Sequence, residues 1–238
     1  MSEPAGRQRR EELAAALDGV RHRVRLACES VGRDPALVTV VAVTKYFPAS
    51  DIRLLVELGV TDVAENRDQE AGPKLGDPVL TGLRLTAHFI GQLQSNKAGS
   101  VVRYADVIHA VDRLKLVAAL DRAAEAAHRR PRILIQVSLD GEPGRGGAPP
   151  ASVVELAQAV SEAPALLLGG VMAVAPLGAD PDEAFTMLAE VSQTVRERHP
   201  EASWMSAGMS GDLEAALRHG ATHLRVGSAI LGSRPALR

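Results

Sequence analysis

Residues 203–234 read SWMSAGMSGDLEAALRHGATHLRVGSAILGSR. Two short runs, Ser203–Met205 and Thr222–Val226, each lead into a turn of glycine and serine. Helical segments follow, at Asp212–His219 and Ala229–Leu231. A repeated strand, turn and helix is the unit of a parallel sheet, because parallel neighbours need a long crossover, usually a helix. The same unit recurs upstream. Strands are expected at Val38–Thr44, Thr61–Ala64, Arg84–Ile90, Val107–Ala110, Ile133–Ser138 and Leu167–Ala173. Helices are expected near Ser50–Leu58, Arg67–Lys74, Asn96–Tyr104, Arg113–His128, Ala151–Ala163 and Pro181–Arg198. Eight units predict a closed (β/α)8 barrel of the TIM type in the α/β class. The alternative, an open doubly wound sheet, lacks its G-x-G-x-x-G fingerprint after the first strand.

Upstream of the first strand, Leu13, Leu17, Val20, Val24 and Ala27 recur at helical spacing, and Gly32 ends the pattern. The expected organisation is one domain over 1–238, with an extra N-terminal helix at about 7–30 and the barrel at about 37–234. Gly141–Pro150 reads as a mobile loop after the fifth strand.

Composition narrows the function classes. The chain carries 27 basic and 29 acidic residues, for a net charge of −2. That balance argues against a nucleic-acid or anionic-membrane partner. One cysteine, Cys28, excludes an intrachain disulfide framework. The N-terminus lacks an apolar signal core, and no stretch is long and apolar enough to span a bilayer. A soluble cytoplasmic chain is expected. Only four basic residues are lysine, at positions 45, 74, 97 and 115. Each raises the question of what its amine does that a guanidinium cannot.

Barrel chemistry sits at the C-terminal ends of strands. Lys45 ends the first strand in VVAVTKYFP. Partial desolvation there lowers an amine's pKa and leaves more of it neutral, as imine formation with an aldehyde requires. A lysine that merely snorkels from the rim is the alternative. The turns after the last two strands, where such barrels commonly bind phosphate, offer the Ser206 hydroxyl and the backbone of Gly208, Gly227 and Ser228. The helix near Ala229 would add its N-terminal dipole. Alternatively, these are ordinary turn glycines, with Ser228 a helix cap.

Arg225 lies two residues before Gly227 and is expected in the mouth. It would meet a ring nitrogen, a carboxylate or a phosphate there, or pair with Glu65 or another acid. Asn66 could meet a ligand oxygen or cap the next helix. His88 reads as a core histidine in preference to a catalytic base. Lys97, at a helix start, is expected to contact an anion or a carboxylate. Lys74 and Lys115 are expected as surface charges. Trp204, Met205 and Met209 are expected in the core. A lysine nucleophile, a phosphate nest and an arginine between them point to a phosphorylated aldehyde. Pyridoxal phosphate (PLP) and the phosphosugars of Schiff-base aldolases both fit.

The blocks VAVTKYFPASDI, AEN with a nearby QE, HFIGQLQSNK, GGVMAVAP, MSAGMSGDLEAAL and LRVGSAILGSR occur in this order. In these blocks the chain resembles the pyridoxal phosphate homeostasis family, relatives of the alanine racemase barrel domain. The resemblance runs from about Val38 to Arg234 and implies PLP as cofactor. It places a Schiff base on Lys45, phosphate contacts on Ser206, Gly227 and Ser228, the pyridine nitrogen opposite Arg225, and Asn66 beside the ring. Two departures stand out. The family's Gly-Glu-Asn-Tyr reads Ala64-Glu65-Asn66-Arg67, which makes an anion the expected contact of Arg67. A lysine common after the fifth strand is absent, and Arg145 is expected in its place.

The resemblance implies a carrier in PLP homeostasis with no catalytic residue and no metal. A cation against the pyridine nitrogen weakens the ring as an electron sink. Racemases of this fold add a tyrosine from a further domain, and the chain is expected to lack one. Its tyrosines are Tyr46 and Tyr104. The expected partners are PLP and apo PLP-dependent enzymes, and the expected state is a monomer. The alternative is a weak amino-acid racemase or related PLP enzyme.

Overall fold

The computed structural model describes residues 3–142 and 146–233. Eight parallel strands close into one barrel in chain order. They are β1 (Thr39–Val43), β2 (Asp62–Glu65), β3 (Thr86–Phe89), β4 (Val107–Val111), β5 (Arg132–Gln136), β6 (Leu167–Met172), β7 (Trp204–Ser206) and β8 (His223–Val226). Closure is the β1–β8 pairing, in register from Thr39 opposite His223 to Ala42 opposite Val226. Every strand lies within two residues of its expected ends.

The outer layer is α1 (Glu3–Ser30), α2 (Ala49–Glu57), α3 (Asp68–Leu75), α4 (Ala98–Val102), α5 (Leu114–Ala126), α6 (Val153–Glu162), α7 (Pro181–Arg198), α8 (Leu213–Arg218) and α9 (Ser228–Leu231). Short 3-10 turns at Pro35–Leu37 and Pro78–Leu80 lie outside the expected helices. Each follows an Asp-Pro pair: Asp34 and Asp77 accept from the backbone N–H two residues on, and proline sits at the first helical position. Asp180 caps α7 in the same way.

Strand alternation splits the apolar residues between two places. Outward-facing Ala42, Val63, Phe89, Ile108, Ile133, Ile135 and Leu224 belong to the large core under the helices. Inside, Val41, Val43 and Ala64 form one small cluster. Val107, Ala110, Leu134 and Met172 form another. Barrel interiors are usually filled by branched apolar residues. Here His88, His109, Ser206, His223 and Arg225 are buried as well.

Helix α1 packs Leu13, Leu17, Val20, Val24 and Cys28 against the barrel's outer wall. Its arginines grip the segments that follow the last strands. Arg9 donates to Asp51 (2.8 Å) and to the Leu231 carbonyl (3.1 Å). Arg23 holds Glu214 through two bonds (2.7 and 2.8 Å) and the Ser210 carbonyl (3.0 Å). The loop after β5 doubles back: Ala148 N–H donates to the Gln136 carbonyl (2.7 Å), and Ser138 N–H donates to the Ala148 carbonyl (2.9 Å). Arg145 lies outside the described residues. No helix among the described residues is long and apolar enough to cross a membrane.

Candidate functional site

A cavity of about 360 Å³ opens at the C-terminal mouth, between the ends of β1, β3, β7 and β8. Lys45, Arg225, Gly227 and Ser228 line it together with Tyr46, Phe47, Ile90, Met209, Ser210 and Gly211. None of the described lining residues is acidic. Its size suits a small cofactor.

Lys45 lies two residues past β1 and is half-buried. The next residue, Tyr46, has φ +71, a left-handed conformation that non-glycine residues rarely adopt. Phe47 N–H closes this turn on the Thr44 carbonyl (3.0 Å). Arg67 stacks its guanidinium 5.6 Å from the Tyr46 ring centroid and lies 3.6 Å from Glu70. The arginine at the family's aromatic position thus covers the tyrosine beside the lysine.

Thr44 is held from below. Its hydroxyl donates to Glu65 Oε1 (2.7 Å), Lys74 Nζ donates to the same oxygen (2.7 Å), and Lys74 also donates to the Thr44 carbonyl (3.0 Å). Lys74 is therefore no surface charge. Its side chain is 12 % exposed and that of Glu65 1 %. The signal was present in the sequence, an acid at a strand end and a lysine nine residues on, but helix placement alone read as solvent. Glu65 also leaves Arg225 without the acid considered for it. Lys97 meets a carboxylate as expected, lying 3.9 Å from Asp68 outside the barrel.

Arg225 is buried and points into the barrel. It donates to the Ser206 carbonyl (2.8 Å), the Ser206 hydroxyl (2.7 Å) and the Ala173 carbonyl (2.7 Å). Burial pushes its guanidinium down to about 10, with Asp212 opposing, so it stays charged at neutral pH. Ser206 is fully buried beneath it and is not among the residues lining the cavity. The serine of this turn that lines the cavity is Ser210, four residues on, which sequence reasoning passed over. Its hydroxyl accepts from Ser228 Oγ (3.2 Å) and from Ala229 N–H (3.2 Å), joining the two turns. Gly208 has φ +86, and a Cβ there would lie 2.7 Å from Ala216 Cβ. Only glycine lets the chain fold so tightly between Ser206 and Ser210. Met209, expected in the core, instead lines the cavity and is partly exposed, because this turn carries it over the mouth.

Asn66 lies at the rim between β2 and β3, off the cavity's lining. Gly91 of the HFIGQLQSNK block explains its setting: a Cβ at Gly91 would stand 2.0 Å from the Asn66 carbonyl oxygen. Gly91→Ala is expected to destabilise the protein by about 1–3 kcal/mol, the range for overpacking, as a lower melting temperature would show. His88 is a buried core residue, as expected.

Residues 16–235 match the family described as alanine racemase, N-terminal domain. The pyridoxal phosphate homeostasis protein of Mycobacterium tuberculosis (strain H37Rv) is 43 % identical over 95 % of this chain and 94 % of its own length. The chain belongs to this family. The Escherichia coli K12 member is 35 % identical over 94 % of this chain and 97 % of its own. Among solved structures, PipY of Synechococcus elongatus with PLP bound superposes with a TM-score of 0.81 at 32 % identity, over 92 % of this chain and all of that one. Corynebacterium glutamicum alanine racemase, at 16 % identity and TM-score 0.67, shares the fold. In this homeostasis-family chain the two C-terminal turns and Lys45 border one cavity.

Proposed function

We propose that this chain binds PLP at the barrel mouth, holds it reversibly on Lys45 as a Schiff base, and serves cytoplasmic PLP homeostasis and carriage rather than turnover. The observation that carries the reading is a single cavity lined by a half-buried lysine, a buried arginine and two turn serines, with no acid among its described lining residues. Lys45 would supply the amine for a Schiff base with the aldehyde, with water as the leaving group, so the attachment would be reversible. Gly227, Ser228 and Ser210 offer backbone N–H groups and hydroxyls to the phosphate; Ser206 supports it through Arg225. Asn66, off the lining at the rim, would approach the ring only from its edge.

Arg225 would face the ring nitrogen. A protonated guanidinium there disfavours a protonated ring and so weakens the electron sink that racemases and decarboxylases exploit. The barrel acts as one monomeric domain that hands its cofactor to apo-enzymes. Purified protein incubated with PLP should develop a visible imine band, and no band would defeat the reading. Holo-protein mixed with L- or D-amino acids in deuterated water should show no sustained α-proton exchange. Robust turnover would move the assignment to an amino-acid racemase. Arg225→Ala is expected to weaken PLP retention while leaving the imine band, and an unchanged dissociation constant would remove the arginine from the ring.

A further inference from the structure

We infer that Asp62, at the base of the barrel, positions Arg225 at the mouth through a one-way chain of hydrogen bonds, and thereby sets how firmly the PLP site holds its ligand. The inference rests on the mouth being that site. Its evidence lies below it, in the polar residues that replace a usual apolar barrel interior.

Arg225 Nη1 lies 2.7 Å from Ser206 Oγ. Ser206 Oγ lies 3.0 Å from His109 Nδ1. His109 Nε2 lies 2.8 Å from His88 Nδ1, and His88 Nε2 lies 2.9 Å from Asp62 Oδ1. Guanidinium can only donate, so Ser206 Oγ accepts from Arg225 and its own proton is free to turn to His109 Nδ1. With that nitrogen accepting, a neutral His109 carries its proton on Nε2. His88 Nδ1 accepts it in turn, and His88 Nε2–H is left for Asp62. The far end agrees with this order, because an ionised carboxylate only accepts and His88 therefore donates to Asp62 from Nε2. Burial raises the Asp62 carboxyl, but bonds from His88 and Thr61 outweigh it, and the net shift is downward. Burial, reinforced by His88, Arg225 and His223, pushes the His109 imidazole far below its usual range, so it is the neutral donor–acceptor the chain needs.

Five side chains from β2, β3, β4, β7 and β8 therefore share one donor direction, from mouth to base. Bonds aligned this way polarise one another, and a terminal negative charge strengthens each acceptor along the line. Arg225 has no carboxylate among its hydrogen-bond partners. The acid that acts on its charge directly is Asp212; Asp62 reaches it only through the chain of hydrogen bonds. Asp62 also borders a second cavity of about 370 Å³, between α1 and the base of β1 and β2.

Two measurements test the chain. In apo-protein, nitrogen NMR of the histidine rings should find His88 and His109 protonated on Nε2. Asp62→Asn, similar in size but uncharged, should mix these tautomers. A wild-type His109 protonated on Nδ1, or tautomers untouched by Asp62→Asn, would overturn the proposal whether or not PLP binds. In PLP titrations, Asp62→Asn and Ser206→Ala should each raise the dissociation constant about tenfold, the size of one hydrogen bond to a charged group. The double variant should be no worse than Ser206→Ala alone, since the chain is already cut. Additive losses would mean two independent structural effects and no relay. Should Asp62→Asn fail to fold, His88→Gln interrupts the same chain and carries the same expectation. Wild-type protein that takes up no PLP would defeat the site reading, and the apo-protein tautomers would still decide the chain.

Discussion

Lys45→Ala is expected to abolish the visible imine band and to release PLP during desalting. The remaining contacts can hold the phosphate and the ring nitrogen, so weak binding should persist. Losing the covalent link should raise the dissociation constant on the order of a hundredfold, equivalent to about 3 kcal/mol. Lys45→Arg separates charge from chemistry. It keeps a cation at the mouth, but a guanidinium stays protonated at any working pH and cannot condense with the aldehyde. Both variants should therefore lose the band, with Lys45→Arg retaining more of the weak, salt-sensitive binding. Borohydride treatment of the wild type should fix the cofactor on the peptide that carries Lys45. The four lysines of the chain make this assignment clean. Label on Lys74 or Lys97 instead, or a band surviving in Lys45→Ala, would place the attachment elsewhere.

The barrel was legible because each strand was a short apolar run and each helix had its own period, and the count of units then dictated closure. Positions at strand ends were legible for the same reason: a residue at the C-terminal end of a barrel strand faces the mouth whatever its neighbours are. Lys45, Arg225, Gly227 and Ser228 all came from that rule, and all border the cavity. Ser206 obeyed it too, but the Gly208 turn folds its side chain under Arg225 and presents Ser210 in its place. Which of two serines in MSAGMSG meets the cavity depends on one left-handed glycine, and periodicity carries no record of that. His109 was missed because VIHAV reads as a plain buried strand. Its meaning appears only when β3 and β7 bring His88 and Ser206 to either side of its ring. Lys74 shows the opposite failure. A lysine on a short helix reads as solvent-facing, and only the fold reveals the buried carboxylate opposite it.

That carboxylate makes Lys74→Met the most damaging of the stability variants. Glu65 Oε2 has no hydrogen-bond partner and Oε1 depends on Thr44 and Lys74. Removing Lys74 leaves a buried, underpaired charge, which typically costs about 3–5 kcal/mol. Urea unfolding at neutral pH should show the loss. Burial already raises the Glu65 carboxyl against the pull of Lys74 and Thr44. A carboxyl raised on folding contributes most to stability below its unfolded value, and that contribution is lost as pH rises through the folded value. Without Lys74 the folded value climbs further. The variant's deficit should therefore be greatest near neutral pH and shrink on acidification toward the ordinary carboxylate range. Glu65→Gln combined with Lys74→Met removes both charges and should recover most of the stability. A double variant as unstable as the single would show that lost packing, not the stranded charge, was responsible. PLP affinity should not recover with it, because the Thr44 carbonyl next to Lys45 still lacks the Lys74 amine that holds it.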